Sequence, residues 1–203
     1  MNIRDSLCHR FNIDQSLLDQ NLIDTDWEHF LSDKWEELDI CYQNRMYRID
    51  DMPKTVRIEG RYGQLEAFYT YDDGHGFNAV YFEKEKKFLS IFFKLCAYST
   101  IYVESGILYA NPFHFPDEFL NRPFLLKMKS LFSREEIVEM DDLEVLRCLF
   151  MLGLRNLASA CLYLIDINVI LWVGGECALV YTCDQEQVDL VRTICTTEGL
   201  YLA

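Results

Sequence analysis

Residues 168–182 constrain the fold more than any other stretch of the chain. They read NVILWVGGECALVYT, two β-rich runs joined by Gly174-Gly175. Glycine reaches positive φ without a steric penalty, so a glycine pair between two such runs predicts a β-hairpin. The chain therefore holds antiparallel sheet, and its other segments are read for what completes that sheet.

Other β-like runs lie earlier. MYRI, TVRIEGR, LEAFYTYD and FNAVYFE are rich in β-branched and aromatic residues. Asp72-Asp73-Gly74-His75-Gly76 separates the last two and predicts a turn between aromatic strands. YSTIYVES and ILYA predict a further hairpin, turned at Glu104-Ser105-Gly106.

Helical patterns alternate with these strands. Ile3, Leu7, Cys8 and Phe11 predict a short N-terminal helix. Thr25 with Glu28 forms a capping box. It opens a helix whose stripe is Trp27, Phe30, Leu31, Lys34, Trp35 and Leu38. KEKKFLSIFFKLCAY places Phe88, Ile91, Phe92 and Leu95 on one face. A second capping box, Ser133 with Glu136, predicts two helices over about 134–166, broken near Gly153. Leu143, Leu146, Leu149 and Phe150 fit their buried face. Asp184 caps a last helix with Val188, Val191 and Ile194 as its stripe. Gly199 stands where a C′ glycine belongs, and Leu200-Tyr201-Leu202 predicts a terminal strand.

Strands grouped with strands, rather than alternating strictly with helices, predict an α+β fold. The sheet is expected to be mainly antiparallel, with hairpins, packed against several helices. The 203 residues are expected to form one compact domain. The Pro-containing stretch NPFHFPDEFLNRPF is an irregular connector, and a division into 1–110 and 124–203 would fall near 111–123.

Composition narrows the function classes. Half of the residues are apolar, which excludes a disordered chain. The formal net charge is -14. A surface this acidic argues against direct nucleic-acid binding, which needs a cationic footprint. The charge is uneven: residues 1–50 hold 11 acids and 5 bases, whereas residues 51–100 hold 7 of each. The N-terminus has no cationic segment followed by an apolar one, so no signal peptide is expected. The apolar stretch from Leu143 to Val173 is interrupted by Arg147, Arg155, Asn156 and Asp166, so no membrane span is expected. Eight cysteines lack CxxC spacing and several sit in apolar runs. They are expected to be reduced core thiols in a cytoplasmic protein.

No motif for phosphate cradling, an EF-hand or local zinc binding occurs, and no cofactor or metal is expected. His9, His29 and His114 are scattered. Asp72, Asp73 and His75 are the one compact group able to offer a metal or acid–base site, against the alternative of a polar turn. The carboxylate pairs on helices read as solvated faces.

Charge, size and lack of motifs lead to an acidic protein-binding module, of the inhibitor or immunity type, that blocks a basic partner such as a nuclease or toxin. Asp33, Glu36, Glu37 and Asp39 are the first candidates for the partner face, with Asp141, Asp142 and Glu144 next. The alternatives are an enzyme centred on Asp72, Asp73 and His75, and a structural subunit of an assembly.

Overall fold

A computed structural model describes residues 3–14, 38, 40–53, 79–110, 122–133, 137–174 and 177–203. Among them are five helices: α1 (Ile3–Phe11), α2 (Ala79–Cys96), α3 (Arg122–Phe132), α4 (Leu143–Leu154) and α5 (Gln185–Thr197). The strands are β1 (Met46–Asp50), β2 (Ile101–Ser105), β3 (Val138–Glu139), β4 (Ala160–Leu164), β5 (Val169–Gly174), β6 (Cys177–Tyr181) and β7 (Tyr201–Leu202). They form one seven-stranded sheet in the order β3-β2-β4-β5-β6-β1-β7, with every neighbouring pair antiparallel. The fold is α+β, as the grouping of strands predicts.

Strand alternation gives the sheet two apolar faces. The first takes Val103, Leu162, Leu171 and Val180, and α2, α4 and α5 pack over it. Rings interlock there: Phe92 lies 4.9 Å from Phe150, and Phe93 meets Phe150 edge-on at 5.6 Å. The second face takes Cys161, Tyr163, Ile170 and Tyr181, covered in part by Leu7, Cys8 and Phe11 of α1 together with Leu38. The register aligns Tyr102, Tyr163, Ile170, Tyr181 and Met46 as one cross-strand row on this face. Glu104, Cys161, Trp172, Leu179 and Arg48 form the next.

Several sequence expectations hold. β5 and β6 pair antiparallel as the hairpin reading predicts, with Gly174 opposite Cys177. The Asp184 carboxylate accepts from Glu186 N and starts α5, and Gly199 sits at φ +73° beyond its end. α1 and β7 form where read.

Others need correction. Residues 79–83 of FNAVYFE are not a strand; they are the first turns of α2. Tyr81, Glu85, Phe88, Phe92 and Leu95 make a buried helical stripe, and that longer period overrides the local β propensity. ILYA makes no hairpin with β2. Ser105 Oγ accepts from Ile107 N, and the chain coils into a short 3-10 turn over Gly106–Leu108. Residues 137–166, the described part of the span 134–166, are not two helices. Within that span β3 precedes α4, and β4 follows it. All five residues of β4 are buried because both faces are covered, and an unbroken apolar run carries no period to distinguish strand from helix. TVRIEGR, LEAFYTYD, the DDGHG turn, most of the Thr25–Glu28 helix and residues 111–121 lie outside the described residues.

Candidate functional site

The described acidic residues from the sequence reading gather where β2, β3 and α4 meet. β3 pairs with β2 through Tyr102–Glu139 and Val103–Val138. Met140 N donates to Ile101 O at 2.9 Å, which ends the strand beside β2. Glu139, Asp141, Asp142 and Glu144 thus fall within six residues at the sheet edge.

Their roles differ. The Asp142 carboxylate accepts from Glu144 N at 3.0 Å and Val145 N at 3.1 Å, capping α4. It also accepts from Lys127 Nζ of α3 at 2.5 Å. Lys127 chiefly, then the Val145 N–H, holds this carboxyl below its usual range. Asp142 and Glu144 in turn raise the Lys127 ammonium. Asp141 and Glu144 are exposed at either side of the cap. Glu139 is exposed and accepts from Tyr102 Oη at 3.2 Å. Burial, then the Glu139 charge, pushes that phenol up. Arg147, one turn along α4 from Glu144, is an exposed cation in the same region.

Beside these groups lies a cleft of about 450 Å³, lined by Ser99, Thr100, Ile101, Glu139, Met140 and Asp141. Asp166 shapes the adjoining turn: it accepts from Thr100 N at 2.7 Å, and its own N–H donates to Ser99 Oγ at 2.8 Å. The Thr100 N–H holds the Asp166 carboxyl below its usual range. Exposed Tyr98 stands next to this turn in the chain. Carboxylates, hydroxyls and an exposed ring thus stand together beside this cleft.

Asp33, Glu36, Glu37 and Asp39 lie outside the described residues, as do Asp72, Asp73, His75, His29 and His114. His9 is exposed on α1. Among the described residues no group of three His, Cys, Asp or Glu side chains could hold a metal ion. No helix among them is long and apolar enough to cross a membrane.

Two buried polar groups escaped the sequence reading. Glu104 is almost fully enclosed on the second face and accepts from Tyr163 Oη at 2.8 Å. Burial raises both the Tyr163 phenol and the neighbouring Cys161 thiol well above their ordinary values. Glu85 and Arg155 form a two-pronged ion pair under α2. Only the break in apolar alternation at Glu104 was visible in sequence; a partner 59 or 70 residues away was not.

No family model, curated protein or solved structure matches the chain.

Proposed function

We propose that the protein is a protein-binding module that docks on a basic partner, in the manner of an inhibitor or immunity protein. The observation that supports this reading is the exposure of Glu139, Asp141 and Glu144 around a cleft, in a chain of net charge -14. Attraction between such an edge and a cationic surface accelerates encounter, and it weakens as salt screens it. Asp142 contributes charge while its oxygens cap α4 and hold Lys127. The cation facing this group from α3 is thereby partly neutralised.

The test is capture from the source cell at low and high salt, using the native chain and the pair Asp141→Lys, Glu144→Lys. A basic protein, released by salt and captured more slowly by the variant, supports the reading. Partners that are all neutral or acidic, retained regardless of salt, refute it. A basic partner bound equally by the variant moves the interface away from this edge.

A further inference from the structure

We propose that β3 is an open docking edge, where the partner adds an extended basic segment as one more strand of the sheet, a mode of docking that rests on the basic-partner reading above.

β3 ends the strand order, with β2 as its one neighbour. In an antiparallel pair, successive residues turn their N–H and C=O groups to opposite sides of the strand. The register fixes the side each residue takes. Met140 N donates to Ile101 O at 2.9 Å, and this pair continues the pairing of Tyr102 with Glu139 and Val103 with Val138. Met140 and Val138 therefore face β2, and Glu139 turns its N–H and C=O away from the sheet. The β4 side gives the same phase. Ile165 N donates to Thr100 O at 3.1 Å, and Tyr102 pairs with Tyr163 two residues further on, so the Tyr102 backbone bonds β4 while Ile101 and Val103 face β3. Among the described residues no group bonds the Glu139 N–H or C=O. Such outward groups are a template for a further strand.

Side chains specify what can add there. Alternation puts Ile137 and Glu139 on the second face of the sheet and Val138 and Met140 on the first. The packing agrees: Ile137 is buried with Tyr163, whereas Met140 and Val138 pack with the first face. Glu139 is exposed, as are Asp141 and Glu144 just beyond the strand. The cations of this region are Lys127, which Asp142 holds, and exposed Arg147. Two copies paired through β3 would bring their acids together in a chain of net charge -14, so the edge disfavours its own kind. A residue paired with Glu139 in an added strand has its Cα about 5.5 Å away, on the same face. A lysine or arginine there meets the carboxylate, and its own backbone N–H and C=O bond those of Glu139. Its two neighbours fall beside Val138 and Met140, where apolar side chains fit. The occupant is therefore an extended segment in which cationic and apolar residues alternate, held by backbone bonds and selected by charge.

The experiment adds a labelled, end-blocked peptide of alternating lysine and valine to the full chain. Binding is followed by fluorescence anisotropy, and amide exchange by NMR. Two matched peptides are methylated on the backbone nitrogen, one at each lysine and the other at each valine. The expected result is slowed exchange of the Glu139 amide on binding. The lysine-methylated peptide binds about tenfold more weakly, the scale of lost hydrogen bonds, whereas the valine-methylated one is little changed. Glu139→Gln keeps the backbone edge but weakens binding, as added salt does. Equal binding of all three peptides with the Glu139 amide still fast overturns edge pairing and leaves the basic-partner reading standing, since charge alone then holds the partner. No peptide bound by a chain that still captures a basic protein also overturns edge pairing alone. A chain that binds no peptide and captures no basic protein refutes both. Protection of Glu139 without peptide, rising with protein concentration, gives the edge to a second copy and overturns the proposal.

Discussion

Removing the Glu85 carboxylate is the sharpest test of how the first face is held. Glu85 lies mid-way along α2, and Arg155 follows α4 as its C-cap residue. Their side chains are 5% and 1% exposed and meet through Nε–Oε2 at 2.8 Å and Nη2–Oε1 at 2.9 Å. The Phe82 ring lies 5.4 Å from the guanidinium. Glu85→Ala leaves that cation buried without its carboxylate, a loss of about 3–5 kcal/mol. Whole-domain stability is of order 5–15 kcal/mol, so the loss is a large share of it. With a urea slope near 2 kcal/mol per molar, the unfolding midpoint falls by about 2 M. Replacing both partners by apolar residues, Glu85→Leu with Arg155→Met, removes both buried charges together and restores most of the stability. Urea unfolding followed by tryptophan fluorescence supplies the double-mutant cycle. Single losses below about 1 kcal/mol, or a double variant as unstable as the sum of the singles, would refute the reasoning.

Two further outcomes follow from the same packing. A Cβ at Gly153 would stand 2.7 Å from Val173 O and 2.9 Å from Val173 Cγ1. Helix propensity favours alanine by about 1 kcal/mol, but overpacking against a strand carbonyl that cannot rotate away costs about 1–3 kcal/mol. Gly153→Ala is therefore expected to lower the urea midpoint, and a raised midpoint would contradict it. Asp142→Ala removes a helix cap, a loss of about 1 kcal/mol at neutral pH, whereas Asp142→Asn keeps most of it. The folded-state Asp142 carboxyl is depressed, so its contribution is present above the ordinary carboxylate range and disappears as pH falls through the depressed value. Thermal melts of native and Ala chains should converge in acid; a gap that persists undiminished there counts against the capping and ion-pair account.

Legibility in the sequence followed the range of the physics. Asp184 and Gly199 act within a turn or two, and each was readable where it stands. The β4 strand was misread because burial on both faces erased its period. The first turns of α2 were misread because aromatic and β-branched residues there favour strands until the whole 18-residue stripe is counted. Of the candidate partner residues, Asp141 and Glu144 are brought to one exposed edge, while Asp142 is drawn into capping. The spacing of these acids showed charge but not which oxygens the backbone would claim.

By itself the sequence determined the α+β class, the β5–β6 hairpin, the capped last helix and the acid excess, because periodicity, turn chemistry and charge are local or additive properties. Tertiary structure decided the strand order, the enclosure of Glu85 with Arg155 and of Glu104 with Tyr163, the cleft beside Glu139 and Asp141, and the contact of Cys183 with the end of α1. Each of these joins residues far apart in the chain. Such partners are chosen by how the sheet faces are covered, which no short window of sequence contains.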